Sequence, residues 1–510
     1  MTKKIYEIIY ILFFVISLFS CEKKEEPFTN NNLKGFFLEC EDGIVLPIQE
    51  NDSTIHFSVS KNVDLKKMKL VANLQDGTIV SLNGVNFRNS IVSDFSDFVS
   101  PTVITIEESV GRKYEKRIII YDLPVFRIDT PNKLPILSKD ERVKGCVVDL
   151  IHGNELKELG TAGIKVRGNS TALLPKKPYN VKLDEKHSVL GLENSKHYTL
   201  LANAYYDRTQ LHNATAFEIA RKTDFPYVQK GEFVEVILNG EHKGLYYLCE
   251  KPRVSKGRIN INEMSETDTI GISLTGGYLL ESAISSGTVP SLSIYSDYFN
   301  TTGANRAWKL YWNIESPEDI LPSQYDYITG RLNHMESLIY NSDSLKNGSY
   351  RNYFDIESAI NWYLVQELTL NEEASRTKNC FLYKERGDEK FYIGPPWDFD
   401  AWTFGVTGVK RFWCNNTTLY FSTLLKDPYF VSRLKEKWNE YKPKFESEIP
   451  NYIVEQYNKI YNSALRNDAM WPNWITYFNP EERSYEDIVT DMINAFKTQL
   501  SWMDSQIQNL

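Results

Sequence analysis

From residue 34 to about 123, apolar and polar residues alternate in short bursts. Ile55-His56-Phe57-Ser58-Val59 and Thr102-Val103-Ile104-Thr105-Ile106 have this period of two, and Lys116-Arg117-Ile118-Ile119-Ile120-Tyr121 closes the region. Asp76-Gly77 and Asn83-Gly84 supply turns between the bursts. Half-buried strands at this spacing predict a small β-sandwich of immunoglobulin-like type. Ser100-Pro101 and Asp122-Leu123-Pro124 punctuate its end, and no reactive cluster lies within it. It reads as a spacer.

Residues 124 to about 290 mix strands with one helix. Ile164-Lys165-Val166-Arg167 and Tyr179-Asn180-Val181-Lys182-Leu183 are strands flanking a loop from Gly168 to Pro178. Between Arg208 and Lys222, Leu211, Ala214, Phe217, Ile219 and Ala220 recur at helical spacing. Phe233 to Leu238 and Gly244 to Cys249 predict a hairpin about Asn239-Gly240. Residues 318 to 510, in a helical lobe that starts at about 291, are mostly helical in pattern, with periodic stretches at Ile356–Leu370, Asp427–Lys442, Tyr452–Arg466 and Tyr485–Leu510. The fold class expected is α+β: a sandwich over 34–123, then one domain over 124–510 with a β-rich and a helical lobe.

The first twenty residues have a different pattern. Lys3 and Lys4 precede an apolar run from Ile8 to Phe19, a basic region and a short hydrophobic core typical of a secretory signal. The run is too short for a bilayer span, which needs about 20 residues. An ordinary signal or a buried N-terminal helix would leave Leu18-Phe19-Ser20-Cys21 unexplained; it resembles a bacterial lipobox, with Cys21 as the lipidated residue. Lys23-Lys24-Glu25-Glu26 resembles the charged export signals of Bacteroidetes lipoproteins, and residues 21–33 read as a tether. The expected location is the outer membrane or cell surface.

Composition adds three constraints. The 510 residues carry 58 basic and 67 acidic side chains, a net charge of −9, which argues against a nucleic-acid partner but not against a local basic pocket. Past Cys21, the five cysteines form no CxxC and are odd in number, so buried free thiols are expected. The seven histidines show no metal-ligand spacing, and no Walker A, HExxH, GxSxG or dinucleotide-binding glycine motif occurs.

The chemistry concentrates in two places. Gly394-Pro395-Pro396-Trp397-Asp398-Phe399-Asp400 follows the strand-like Lys390-Phe391-Tyr392-Ile393. Asp398 and Asp400 could meet one Mg²⁺ with hard oxygen ligands, although an isolated Asp-x-Asp is more often a solvated turn. Upstream lie Glu373 and Asn379, then the strand-like Cys380-Phe381-Leu382-Tyr383. Base, metal-binding Asn and metal-binding Asp follow this order in protein kinases. In the N-terminal half, Arg167-Gly168-Asn169-Ser170 is a small polar turn able to offer N–H groups to phosphate. Lys182, on the next strand, could neutralise phosphate charge, and Glu218 could pair with it.

Taken together, these segments resemble the spore coat protein H (CotH) kinase family. The likeness covers about Leu123 to Leu510 and includes Ile164 to Ser170, Lys177 to Leu183, Leu200 to Asn203, Tyr206-Asp207-Arg208, His212-Asn213, Gly244 to Glu250 and Pro396 to Asp400. It implies an atypical protein-kinase-like fold using ATP and Mg²⁺ or Mn²⁺, with a protein substrate. Asp398 matches the family's metal-binding aspartate, with Asp400 as a helper and Asn379 before the strand, while Glu250 would sit where a kinase hinge meets adenine. The family's Asn-x-Asp element reads Asn371-Glu372-Glu373 here, so Glu373 takes the catalytic position with one extra methylene. A displacement of that size can cost about 10²-fold in rate. Two readings therefore stand: an extracytoplasmic kinase, or a catalytically silent kinase-like domain that binds a glycan or protein at the cell surface.

Overall fold

In the first region the alternating bursts close into two facing sheets. A computed structural model describes residues 33–60, 63–203, 207–285, 292–296, 309–405, 410–417, 419–472 and 483–510. The apolar leader, Cys21, the tether up to residue 32 and Tyr206 lie outside the described residues. Ten strands come first: β1 (Gly35–Cys40), β2 (Gly43–Val45), β3 (Pro47–Glu50), β4 (Thr54–Ser58), β5 (Met68–Asn73), β6 (Ile79–Leu82), β7 (Val85–Phe87), β8 (Ser90–Ser93), β9 (Thr102–Glu107) and β10 (Lys113–Tyr121). One sheet runs β2-β1-β5-β8 and the other β3-β4-β10-β9-β6-β7, with β4 and β10 parallel. Phe36, Leu38, Met68 and Leu70 from the first meet Ile55, Phe57, Ile104, Ile106 and Ile118 from the second in one buried core.

The next strands are β11 (Val125–Asp129), β12 (Val143–His152), β13 (Glu155–Val166), β14 (Tyr179–His187), β15 (Ser195–Leu201), β16 (Gly231–Leu238) and β17 (Glu241–Glu250), with helix α1 (His212–Arg221) between β15 and β16. They form a closed barrel in the order β11-β12-β13-β14-β15-β17-β16. Closure leaves no free edge. Ile164, Val166, Val181, Leu200, Val236 and Leu248 fill the interior. The β16–β17 turn places Asn239 and Gly240 at φ 55° and 85°, the two positive values a tight hairpin requires.

The sandwich is seated on this barrel. Gln49 Nε2 donates to Gly240 O at 2.7 Å, Gly153 N to Ser58 Oγ at 3.0 Å and Arg127 Nη1 to Ile48 O at 3.1 Å. Tyr121, Val125, Ile151 and Ile237 form an apolar seam at the junction. The expectation of a spacer therefore meets a docked body.

The remaining elements are β18 (Tyr278–Ser285), β19 (Ile294–Tyr295), β20 (Lys309–Ser316), α2 (Pro322–Ile339), α3 (Ile356–Leu368), β21 (Phe381–Lys384), β22 (Tyr392–Ile393), α4 (Pro428–Met470) and α5 (Tyr485–Gln508). The strands pair as a sheet in the order β19-β20-β18-β21-β22, which joins the two strand-like segments flanking residues 384–391 to three strands that precede the helical region. The two expected helices between Asp427 and Arg466 are one 43-residue helix containing Pro443 and Pro450. Proline normally breaks a helix interior. Here one buried stripe, Phe430, Leu434, Trp438, Tyr441, Phe445, Ile449 and Ile453, keeps its three-to-four spacing across both prolines. Packing holds the helix where local propensity would end it. Among the described cysteines, Cys146, Cys249, Cys380 and Cys414 are buried and Cys40 is half-buried.

At the junction, Arg466 from α4 pairs with the buried Glu235 and donates to Ile120 O. Burial would raise the Glu235 carboxyl, but Arg466 and His242 outweigh it and hold it well below the usual carboxylate range. His56 is buried between Tyr121 Oη and Thr54 Oγ1, each 2.8 Å from a ring nitrogen. Burial first, then the charges of His242, Arg466 and Arg117, lower its pKa to about 3. An unfolded chain protonates His56 near 6.5, so between pH 6.5 and 3 the unfolded state binds more protons and stability falls as pH falls. In urea unfolding, wild type is expected to lose ~1.5 kcal/mol more than His56→Gln between pH 6.5 and 5. Equal losses would refute a neutral buried His56.

Candidate functional site

The loop after β13 forms the roof of a cleft. Gly168 adopts φ +83°, and a Cβ there would lie 2.2 Å from Thr171 Oγ1, so only glycine fits. Asn169 Oδ1 accepts from Lys139 Nζ at 2.9 Å. Below the loop the outer face of the barrel carries a cross-strand row: Lys165 opposite Asn180, Asn180 opposite Thr199, Thr199 opposite Cys249. Lys165, Arg167, Gly168, Asn169, Ser170, Asn180 and Lys251 line one wall of the cleft, whose volume is about 540 Å³.

The facing wall is acidic and comes from the sheet and turns of the second half. Glu281 on β18, Glu373, Asn379, Asp398 and Asp400 line it with Trp397 and Trp402. Asn379 Nδ2 donates to Asp398 Oδ2 at 3.0 Å. Both residues take positive φ, 57° and 69°, which Asn and Asp tolerate. Thr377, Trp402 and Phe404 are also left-handed, at 53°, 53° and 54°, and these side chains rarely accept that conformation. Strained backbone of this kind gathers where the surroundings over-determine a functional loop.

The surroundings are α1 and the turn before it. Phe399 N donates to Asn213 Oδ1 at 3.0 Å. Thr403 Oγ1 donates to Phe399 O at 2.8 Å and lies 2.9 Å from His212 Nδ1. Asp207 Oδ2 in turn accepts from His212 N at 2.9 Å. Trp397 stacks on Phe217 at 5.9 Å, and Arg167 lies 5.4 Å from the Trp397 ring. Glu373 sits on a short 3₁₀ turn capped by Asn371, whose Oδ1 accepts from Glu373 N at 3.0 Å.

Charge in the cleft is segregated. Burial, then Asp398, raises the Asp400 and Glu373 carboxyls; Arg167 opposes at the first and Lys378 and Arg376 at the second. Burial, then Glu315, raises Glu281. Lys165 is lowered by burial and by Arg142 and Lys251, and it has no hydrogen-bond or ion-pair partner among the described residues. Carboxyls that raise one another are relieved by a cation. Asp398, Asp400 and the amide oxygen of Asn379 offer hard oxygen donors, which fit a divalent ion. Among the described residues no three His, Cys, Asp or Glu converge to hold a metal alone.

Three expected residues are not in the cleft. Lys182 shares the outward face of Asn180 but stands one step further along β14, exposed, between Gly163 and His197. Glu218 is 2.8 Å from both Arg221 and Lys222 on its own helix, so the expected Lys182–Glu218 pair does not form. Glu250 points to the barrel's end, where it is buried and accepts from Glu193 N, Tyr227 Oη and Lys230 N. Lys165, Lys251 and Glu281 occupy the cleft without having been singled out. For Lys165 a signal existed: it alternates with Arg167 on the polar face of the same strand. Glu281 had none, since its strand was not recognised.

A family model described as CotH kinase protein matches residues 164–503. The chain belongs to the CotH kinase family. The CotH match spans both walls of the cleft, from the β13 strand to α5. A search of curated proteins found no match. Among solved structures, a Bacteroides thetaiotaomicron protein provisionally assigned as a glycoside hydrolase is similar over 60% of this chain and 88% of its own, at 14% identity and a TM-score of 0.16. A likeness that distant carries no argument about this CotH chain.

Replacing Asn213 by Ala leaves the buried Phe399 N–H without its acceptor. The expected cost is ~1–3 kcal/mol in chemical unfolding, with faster amide exchange at Phe399 than elsewhere in the loop. Unchanged exchange at Phe399 would show that the loop is held by other contacts.

Proposed function

We propose that this CotH chain is an extracytoplasmic protein kinase that transfers phosphate from ATP to Ser or Thr hydroxyls of a surface or secreted protein. One observation carries the reading: the Gly168 loop and the Glu373, Asn379 and Asp398 side chains meet across one cleft, in the chain order that kinases use. The unpaired Lys165 supports it, because a half-buried cation without an anion suits a phosphate. The sandwich, of immunoglobulin-like type in this reading, and a lipid on Cys21 would hold the enzyme at the outer membrane or cell surface.

The residues divide the work. Gly168, Asn169 and Ser170 bring backbone N–H groups over the phosphates, while Lys165 and Arg167 neutralise their charge. Asp398, Asn379 and Asp400 would hold Mg²⁺ or Mn²⁺, which would supply charge stabilisation to the transferring phosphoryl group. Glu373 orients the acceptor hydroxyl and takes its proton; its raised pKa brings it closer to the working pH of a general base. Trp397 and Trp402 limit water around the reacting atoms.

Glu373 also supports the second reading, a silent kinase-like domain that binds without turnover. Phosphate transfer from labelled ATP separates the two. Wild type is expected to label an acceptor, with Asp398→Ala and Lys165→Ala each losing at least ~10²-fold. Lys182→Ala and Glu218→Ala should retain activity within about twofold. Glu373→Asp gaining activity would identify an enzyme slowed by its extra methylene. ATP binding without transfer in any variant would establish the silent domain, and equal labelling by wild type and Asp398→Ala would overturn the mechanism.

A further inference from the structure

Glu281 lines the cleft and has no part in the division of work above. It stands on β18, the middle strand of its sheet, opposite Asn313 on β20 and Phe381 on β21. Two ladders therefore fix where its side chain begins. That side chain is half-buried, faces the cleft, and makes no hydrogen bond or ion pair among the described residues. A carboxyl group held this way is costly unless a ligand brings it donors.

Its place along the cleft follows from its charged neighbours. The groups that act on Glu281 are Glu315, Lys251, Asp398 and Arg167, while those that act on Glu373 are Asp398, Lys378, Arg376 and Glu372. Asp398 alone is common to both sets, so Glu281 and Glu373 flank it from opposite sides. Phosphoryl transfer keeps the attacking and leaving oxygens roughly in line. With the acceptor hydroxyl at Glu373 and the transferring group at Asp398, the rest of the nucleotide runs toward Glu281. The part that follows the phosphates is the sugar.

Other partners fit Glu281 less well. A metal ion there lacks a second free carboxylate, since Glu315 is taken by Lys251 at 3.0 Å. A phosphate is repelled by a carboxylate. The base lies a full ring further from Asp398, whereas Asp398 still acts on Glu281. Neighbouring hydroxyls on a sugar ring supply a donor for each of the two carboxyl oxygens. Burial and Glu315 raise this carboxyl, which lessens the repulsion it exerts on phosphates close by.

We propose that Glu281 binds the ribose of the nucleotide, its carboxyl oxygens taking the 2′- and 3′-hydroxyls, so that the cleft selects ribonucleotides over their deoxy forms. The assignment rests on the kinase reading above and adds the residue that sets its sugar specificity.

Calorimetric titration of the full-length protein in Mg²⁺ with ATP, 2′-deoxy-ATP and 3′-deoxy-ATP tests it. Wild type is expected to bind ATP at least ~10-fold more tightly than either deoxy form, because each missing hydroxyl leaves a carboxyl oxygen unpaired. Glu281→Ala should bind all three within about twofold of one another, with an unchanged unfolding midpoint. Glu281→Gln, which keeps one acceptor oxygen, should recover part of the preference. Equal wild-type affinities, a preference that survives Glu281→Ala, or a parallel loss for all three nucleotides would each overturn the assignment and leave the kinase reading standing. A wild type that binds no nucleotide would overturn both.

Discussion

The hydrogen bond from Phe399 N to Asn213 Oδ1 fixes the acidic loop to a helix that is buried along almost its whole length. Asp398 and Asp400 flank the donor residue, so where that one amide points decides where both carboxylates point. The left-handed backbone at Asp398, Trp402 and Phe404 would relax if the loop were free. His212, Thr403 and Phe217 hold it on the same helix, through a polar chain on one side and a ring stack on the other. Burial protects the whole arrangement from water, which would otherwise compete for each bond.

The cleft built on this support is electrically unfinished. Its acidic wall holds Asp400 and Glu373, each raised by burial and then by the nearby Asp398, and its basic wall holds Lys165 with no ion pair among the described residues. Joining the two walls directly would neutralise both, but the Gly168 loop and the barrel keep them apart. The charge separation is maintained by covalent geometry and packing. In the proposed reading, a ligand carrying phosphates and a divalent ion would meet each wall in turn, which a salt bridge between them would prevent.

Much of this could be read from the chain, and the failures have physical causes. Alternation located the sandwich strands, the Asn239-Gly240 turn and the Gly168 loop, because period-two patterns and positive-φ turns are written in a few neighbouring residues. Asp398, Asn379 and Glu373 were legible from their order. Lys165 and Lys182 both alternate onto a polar strand face, and only the packing of the barrel against the second half decides that Lys165 borders the cleft. Glu250 was misplaced for a related reason: the polar end of a strand can face inward, where three donors capture it. The reading of α4 as two separate stretches failed because a continuous stripe of buried apolar residues outweighs two missing N–H groups.

That unbroken α4 has a mechanical meaning. At 1.5 Å per residue its 43 residues extend about 65 Å. Along that length it packs against α1, α3 and α5, and in its last turns Arg466 is bonded to both the sandwich and the barrel. A hinge between the sandwich and the cleft would have to bend this rod. A pull on the sandwich would therefore load the Arg466 contacts and the end of this rod first.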